Sequence, residues 1–173
     1  MESANSNDAR LFNCSFKGDL EGVKAALTGG GNVGMRNDQG FTPLLVAALN
    51  GHRNICGILL AHGSNVNEMQ TGTKHTALHF AAVFGHNILV EALLSWGVKI
   101  DFQSHAGQTA LFLACQEGQL PCVLTLLKAG AKVTLQTIDG AMPLHIAAQL
   151  NRVDIARILL AHGCSPDIVS YPI

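Results

Sequence analysis

A segment of about 26 residues recurs in the chain at a nearly constant spacing, and this repeat constrains the fold more than any other feature. Four copies align on their glycines. They begin at Thr42, Thr76, Thr109 and Met142, so successive copies start 34, 33 and 33 residues apart. A degenerate first copy, ARLFNCSFKGDLEGVKAALTGGGNVG, begins 33 residues earlier at Ala9. A period of this length is typical of solenoids, whose units bury their apolar faces only by stacking on one another.

Each copy has the pattern of two short helices joined by a tight turn. The Thr or its substitute starts the first helix, and proline is tolerated in the first turn, as at Pro43 and Pro143. A leucine then serves as a buried anchor, and a pair of small residues lets neighbouring helices approach closely. The chain turns at a residue that tolerates a left-handed conformation. The anchors are Leu11, Leu44, Leu78, Leu111 and Leu144, and the turn residues are Gly18, Gly51, Gly85, Gly118 and Asn151.

A second helix with inward-facing leucines follows the turn, and a glycine is expected to end it. A polar loop then leads to the next unit. The loop between the second and third units, NEMQTGTKHT, carries one extra residue. We therefore expect this loop to have a different shape from the others.

The pattern resembles the ankyrin repeat in its period, its TPL or TALH start, its alanine pair, its GH after the turn and its late LL…G. The resemblance implies an all-α fold, an ankyrin-repeat solenoid of five helix-turn-helix units with β-hairpin-like loops along one edge. It also implies a protein-binding scaffold without catalytic residues of its own. We expect a single domain over residues 1–173, with repeats near residues 6–36, 37–69, 70–103, 104–136 and 137–170.

The two end units are expected to differ from the internal ones. The first lacks TPLH and resembles an N-terminal cap, with Ser6, Asn7 or Asp8 as candidate N-cap residues. The last should be polar on its outer face, but the tail SYPI stops where another unit would begin. These features favour a fragment of a longer protein, and the alternative is a C-terminal face covered by a partner. The last unit also contains apolar residues of internal type: Val153, Ile155, Ile158 and Leu159.

Composition and charge argue against several classes of function. The formal net charge is −1 and no basic cluster is present, which argues against nucleic-acid binding. No apolar run approaches the roughly 18 residues of a membrane span, and MESANSNDAR does not have the pattern of a signal peptide. The five cysteines have no CxxC spacing, which is typical of free thiols in a reducing compartment. We expect a cytoplasmic or nuclear protein, or one found in both compartments.

The histidines follow the repeat and are expected to be structural. His79 and His145 occupy the TPLH position, where the resemblance implies a bond from the imidazole to the nearby Thr hydroxyl and to loop backbone. Thr76 is available to His79, whereas Met142 replaces the Thr before His145, so that bond should be missing or rerouted. His52 and His86, in the GH position, are also interpreted as structural.

No motif in the chain predicts catalysis, a metal site or a cofactor. His79 and His86 are separated by a helix-ending glycine and lack the i, i+4 spacing of zinc ligands on a helix. The cysteines fall mostly at core positions, where packing is the expected role. We therefore predict that the chain is not an enzyme and has no catalytic residues, no metal and no cofactor.

Positions that the repeat does not need for its own packing are available for recognition. The residues just before the turn should line a concave groove. Because packed helices lie about 8–10 Å apart, a row roughly 20 Å long would be formed by Phe16, Leu49 and Phe84. Such a groove suits a helix or an extended peptide with an apolar anchor. The alternative is that some of these side chains fold back on neighbouring helices. The predicted binding residues are Phe16, Phe41, Leu49, Asn50, His75, Val83, Phe84, Trp96, His105, Gln116, Glu117 and Leu150.

Some of these residues lie outside the groove itself. Phe41, His75 and His105 belong to the loop rim, together with positions such as Thr73, Gln108 and Ile138. Trp96 ends the second helix of the third repeat, where it is either a binding hot spot or a cover for the helix end.

Asn67 is a candidate hydroxylation site, because its position after Val66 and eight residues beyond Leu59 is similar to the asparagine-hydroxylase pattern of ankyrin repeats. The alternative is a loop asparagine that bonds to local backbone.

The leading functional hypothesis is a protein–protein interaction module that binds a partner peptide or helix through the groove and loops. One alternative is the substrate-recruiting N-terminal region of a larger enzyme, such as a ubiquitin ligase or a methyltransferase. A second alternative is a structural module that associates with itself through its C-terminal repeat.

Overall fold

The fold is taken from a computed structural model, which describes residues 6–164. Over this range the chain forms five pairs of α-helices connected by tight turns and loops. The helices are α1 (Ser6–Lys17), α2 (Leu20–Thr28), α3 (Pro43–Leu49), α4 (Arg53–Ala61), α5 (Ala77–Val83), α6 (Asn87–Ser95), α7 (Ala110–Glu117), α8 (Leu120–Lys128), α9 (Pro143–Gln149) and α10 (Val153–Ala161).

The helix pairs stack in chain order to form two layers. The first helices contact one another in the order α1, α3, α5, α7 and α9, and the second helices follow the same order from α2 to α10. Within residues 6–164 no strand is formed. The all-α solenoid expected from the repeat is confirmed.

The recurrent leucine of each first helix lies in the core, as predicted. Leu11, Leu44, Leu78 and Leu111 are at most 1% exposed, and Leu144 is 7% exposed. Burial of large aliphatic side chains along the whole stack holds each unit to its neighbours.

The turn between the helices of each pair uses a left-handed residue. Gly18 has a φ of 82° and Gly51 a φ of 75°. The fifth unit turns at Asn151, whose φ is 55°. The prediction that asparagine replaces glycine here without loss of the turn is confirmed.

The predicted caps of α1 are wrong. Ser6, Asn7 and Asp8 lie within the helix, not before it. The Asn7 side chain donates to the Gly29 carbonyl at 2.6 Å, and an Asp8 carboxylate oxygen accepts from the Asn32 backbone N–H at 2.7 Å. Both side chains therefore tie α1 to the end of its own unit.

Three of the four loops between units, here called fingers, share one backbone pattern. In finger 2 (residues 37–41) the Asn37 N–H donates to the Phe41 carbonyl at 3.0 Å, and the Gly40 N–H donates to the Asn37 carbonyl at 2.8 Å. Finger 4 (104–108) and finger 5 (137–141) have the same two bonds at equivalent positions.

Finger 3 (residues 70–75) is one residue longer and has a different shape, as predicted. The Gln70 N–H donates to the His75 carbonyl at 2.9 Å, and the Lys74 N–H donates to the Gln70 carbonyl at 3.0 Å. Lys74 adopts a positive φ of 58°. The buried Gln70 side chain accepts from the Thr73 N–H at 2.6 Å and donates to the Gln39 carbonyl.

The apolar residues of the last unit are only partly exposed. Ile155 and Leu159, two of the residues of internal type, are 3% and 0% exposed. They pack into the core, whereas Val153 is 48% and Leu160 44% exposed. Ile158 is half-buried. The tail SYPI lies outside the described residues.

No helix in the described range is long and apolar enough to cross a membrane.

Candidate partner-binding surface

The buried His79 forms the interrepeat link that the resemblance implied. Its Nδ1 lies 2.8 Å from the Thr76 hydroxyl oxygen, and its Nε2 donates to the Gln108 carbonyl in finger 4 at 3.1 Å. Burial lowers the pKa of His79 to about 4, so the imidazole is neutral at pH 7. His79 therefore fixes α5 to finger 4.

His145 makes part of the same arrangement. Its Nδ1 accepts from the Met142 backbone N–H at 3.0 Å, as the Nδ1 of His79 accepts from the Thr76 N–H at 3.2 Å, but Met142 has no hydroxyl, so the bond to a Thr hydroxyl is missing here. His145 is also more exposed than His79.

The residue just after each turn reaches back to the preceding unit. His52 Nε2 donates to the Phe16 carbonyl at 3.2 Å, and His86 Nε2 donates to the Leu49 carbonyl at 3.0 Å. The bonds hold neighbouring turns in register, so the GH histidines are structural, as predicted.

The same contact continues with other side chains in the later units. Gln119 Nε2 donates to the Val83 carbonyl at 3.0 Å, and the Arg152 guanidinium donates to the Gln116 carbonyl at 3.4 Å. The residues two positions before the turn, Phe16, Leu49, Val83 and Gln116, therefore follow one another from unit to unit.

We call Phe16, Leu49, Val83 and Phe84 the apolar row. Phe16 is 51% and Phe84 52% exposed, whereas Leu49 and Val83 are half-buried. The Phe84 ring stacks on the His86 ring, with centroids 6.3 Å apart and an interplanar angle of 27°. Val83 occupies the position in register with Phe16 and Leu49, and Phe84 comes one residue later.

The remaining predicted groove residues vary in polarity. The half-buried Asn50 donates from its side chain to the Val46 carbonyl at 2.9 Å. The Gln116 side-chain amide donates to the exposed Glu117 carboxylate at 2.9 Å, and this polar pair follows the apolar residues of the earlier turns. Leu150 is 42% exposed.

Two of the predicted rim residues fold back on the stack. The half-buried Phe41 ring packs on Phe80 with centroids 5.4 Å apart. His75 lies 5.3 Å from the His79 ring and 5.6 Å from the Phe80 ring. Burial lowers the pKa of His75, whereas His105 remains exposed in finger 4.

Trp96 is not brought together with the apolar row. It caps α6 in the second-helix layer, is half-buried and packs against the core. A Cβ added at Gly57 of α4 would lie 3.5 Å from the indole ring, so the ring covers that glycine. The ring therefore covers the middle of the neighbouring helix α4, whereas the covering role considered for Trp96 was at a helix end.

Two adjoining cavities lie along fingers 3 to 5. The first, here called the finger pocket, has a volume of about 430 Å³. The second, here called the glutamine channel, has a volume of about 520 Å³ and shares Ala106, Gln108 and Ile138 with the first. The finger pocket is further lined by Thr73, His75 and His105, and the channel by Phe112, Gln116, Asp139, Ile146 and Gln149.

The cavities combine expected and unexpected residues. Rim positions such as His105 and Ile138 were identifiable from their place in the repeat. Ala106, Phe112 and Ile146 were missed, because they read as ordinary loop and helix residues. Their roles follow only from the approach of three successive units.

The thiols are positioned for packing, not for nucleophilic chemistry. Burial raises the pKa of Cys56 and Cys115 to about 12 and that of Cys122 to about 11. These thiols are therefore protonated at neutral pH and poor nucleophiles. Across residues 6–164 no three His, Cys, Asp or Glu side chains are grouped as a metal ion requires.

Comparison with known proteins identifies the repeat directly. A family model described as ankyrin repeats (3 copies) matches residues 11–104 and again residues 87–170. The two matches together cover nearly the whole chain.

Several curated relatives share part of this sequence. The chain is 35% identical over 94 residues, or 54% of its length, to ankyrin repeat and KH domain-containing protein mask-1 of Caenorhabditis elegans. It is 36% identical over 104 residues, or 60% of this chain, to ankyrin repeat and KH domain-containing protein 1 of Homo sapiens. It is 31% identical over 100 residues, or 57% of this chain, to E3 ubiquitin-protein ligase Ufd4 of Drosophila melanogaster. The chain spans about 4% of the length of each of these relatives.

Proposed function

The chain belongs to the ankyrin-repeat family, and on that premise we propose that it binds a protein segment through the apolar row, with the fingers as the rim. Ankyrin repeats are protein-interaction modules, and the domain itself is non-catalytic. The proposal specifies which surface of the module meets the partner.

The observation that carries the proposal is the exposure of two aromatic rings on the first and third turns, each of which is bonded to the turn that lies between them. Phe16 and Phe84 each leave about half of their surface in water, and Leu49 lies between them in the stack. Buried phenylalanines contribute strongly to interfaces, because each removes on the order of 150–250 Å² from water. A partner helix or peptide with apolar side chains would cover this row.

The test compares two double variants that remove similar apolar surface at different places. Peptides selected from a displayed random library on the wild-type protein are the ligands, and their affinities are measured by calorimetry. Leu49→Ser with Phe84→Ser should weaken the selected peptides by about tenfold or more. The control, Ile88→Ser with Leu124→Ser, changes side chains that are 70% and 46% exposed on α6 and α8.

The control should leave peptide affinity unchanged, and neither pair should change the melting temperature greatly. Equal affinity of every selected peptide for wild type and for the Leu49→Ser, Phe84→Ser variant would exclude the apolar row as the binding surface.

We further propose that the protein acts in the cytoplasm or nucleus, does not bind nucleic acid and is not an enzyme. Free buried thiols and the absence of a basic cluster in the sequence support the first two statements. The non-catalytic character of the domain supports the third. Fluorescent fusion imaging and a nucleic-acid shift assay would test compartment and ligand class.

A second candidate function is the substrate-recruiting region of a larger enzyme. The similarity to a protein named as a ubiquitin ligase supports this candidate. A ubiquitin-transfer assay on the full-length gene product separates the two: transfer activity favours recruitment, and its absence favours a separate adaptor.

A third candidate is self-association through the C-terminal repeat. The exposure of Ala148, Val153 and Leu160 supports it, because the equivalents of Ala148 in earlier repeats are fully buried. Light scattering at two protein concentrations tests it. A strictly monomeric mass at both concentrations excludes it.

We also propose that Asn67 is hydroxylated, although a hydrogen bond of its side chain must first be broken. The Asn67 side chain is half-buried and its oxygen accepts from the Lys99 backbone N–H at 2.7 Å. An enzyme must open this bond to reach the side chain. Intact-mass and peptide analysis after co-expression with an asparagine hydroxylase tests the proposal, and an unmodified peptide rejects it.

A further inference from the structure

We infer that the finger pocket and the glutamine channel together bind an extended peptide segment, with one uncharged apolar side chain in the pocket and the peptide backbone along the channel. The inference rests on the proposed protein-binding function and names the class of segment that repeats three to five recognise. It adds a site that is separate from the apolar row.

The walls of the finger pocket are held in place before any ligand arrives. The His105 N–H donates to the Thr73 carbonyl at 2.8 Å, which joins finger 4 to finger 3. The Ile138 N–H donates to the Ala106 carbonyl at 3.0 Å, which joins finger 5 to finger 4. The buried Gln70 side chain holds Thr73 from inside the extra-long finger 3. A preorganised pocket does not lose further chain entropy when a ligand binds.

The finger pocket favours a side chain without charge. None of its lining residues is Asp, Glu, Lys or Arg. Its histidine nearest the core, His75, has a pKa lowered by burial and is neutral at pH 7. A charged side chain placed here would lose its hydration without gaining an ionic partner. An aliphatic or aromatic side chain incurs no such cost.

Ile138 supplies the apolar surface that this side chain would cover. It is 77% exposed at the boundary that the pocket shares with the channel. A large aliphatic side chain so exposed gains free energy when a partner side chain removes it from water.

The glutamine channel favours an extended backbone over a helix. Gln108, Gln116 and Gln149 line it, and a side-chain amide can both donate and accept hydrogen bonds. The side-chain N–H of Gln116 already donates to Glu117, which leaves the side-chain oxygen, Oε1, to accept from a ligand. An extended peptide presents free N–H and C=O groups to such side chains, whereas a helix satisfies most of its own.

The first experiment tests the anchor. The ¹⁵N-labelled protein is titrated with the N-acetyl amides of leucine, phenylalanine, lysine and aspartate. The leucine or phenylalanine probe should shift the amide signals of Thr73, His105 and Ile138, and the charged probes should not. Ala106→Trp, at an exposed position on the pocket wall, should abolish the shifts while the remaining spectrum stays folded. Shifts that persist unchanged in Ala106→Trp, or no shifts with any probe in the wild type, would overturn the pocket assignment.

The second experiment tests the peptide. Peptides from a displayed random library are measured against wild type, Ile138→Ser, Ala106→Trp and the Leu49→Ser, Phe84→Ser pair. A class of peptides with one essential apolar residue should lose about tenfold or more in affinity with Ile138→Ser or Ala106→Trp. Backbone N-methylation beside that residue should weaken the same peptides.

The outcomes separate this inference from the proposed function. Peptides that weaken only with the Leu49→Ser, Phe84→Ser pair would overturn the finger site and leave the apolar row standing. Helical transferred NOE patterns in the peptides sensitive to Ile138→Ser would overturn the extended mode. A library that yields no peptide binding to the wild type would count against both.

Discussion

The third and fifth repeats carry nearly the same first-helix sequence, TALHFAA and MPLHIAA, but they use it differently. His79 is 1% exposed and links its helix to the next finger, whereas His145 is only half-buried. Ala82 is completely buried and Ala148 is exposed. Of the two units, only the third is followed by another within the described range. The comparison shows that in a stacked fold the following unit, more than the local sequence, decides the burial of these positions.

The largest expected effect separates the leucine anchors of the two repeats. Leu78→Ala should lower the global free energy of unfolding by about 2–5 kcal/mol, because it opens a cavity inside the stack. Leu144→Ala should mainly loosen the end unit and accelerate hydrogen exchange in α9 and α10. Urea denaturation and hydrogen exchange measure the two effects. Equal losses of global stability would break the comparison.

The alanines provide a matched pair of overpacking variants. Ala82→Leu should cost about 1–3 kcal/mol, because no space exists between the stacked first helices. Ala148→Leu should stay within about 0.5 kcal/mol of wild type, because its side chain meets solvent. Thermal or urea unfolding of both variants measures the difference, and a large cost at Ala148 would show that the end face is covered.

Acid should destabilise the third repeat through His79. Its pKa in the folded state is about 4, below the ordinary value of 6.5. As the pH falls from 6.5 to 4, the unfolded chain takes up a proton that the folded chain does not, so the stability present above pH 6.5 is lost. The slope should reach up to about 1.4 kcal/mol per pH unit from this residue.

The control for the pH effect is His79→Gln, which removes the titrating group. The unfolding free energy of this variant, measured between pH 7 and 4, should fall less steeply than that of the wild type. Some slope should remain, because the pKa of the neighbouring His75 is also lowered by burial. Identical slopes in the two proteins would contradict the assignment to His79.

The variant with the smallest expected effect makes the fifth repeat resemble the third. Met142→Thr supplies a hydroxyl next to His145, where Thr76 supplies one to His79. The new hydrogen bond contributes about 0.5–1.5 kcal/mol, but loss of part of the fully buried Met142 side chain costs a similar amount or more, so no net gain in stability is expected. Urea unfolding measures the net change, and a matching Thr76→Met variant, which removes the hydroxyl and crowds a fully buried position, should destabilise the protein more.

The fold could be predicted because the copies of the repeat recur at a nearly constant spacing in the sequence. The turn glycines and Asn151 report the backbone conformation directly, since few residues adopt a positive φ. The extra residue in finger 3 could be counted, and its altered hydrogen bonds follow from that count.

The candidate site was less predictable, because it depends on contacts between units. Trp96 and Phe41 fit an exposed surface position in the sequence, but each finds a neighbouring repeat to cover, at Gly57 and Phe80 respectively. The cavities along the fingers require three successive loops at once. No periodicity within one repeat indicates how those loops approach one another.

Finger 3 also shows where this architecture tolerates a change in chain length. Its additional residue is taken up within the loop at Lys74, and the helix after it still begins at Ala77 with its anchor Leu78 buried. The spacing of the stack is therefore decoupled from the length of its loops. An insertion next to Lys74 should leave the helical stack intact while remodelling the finger pocket, whose wall includes Thr73, which makes this finger an entry point for engineering new recognition without redesigning the scaffold.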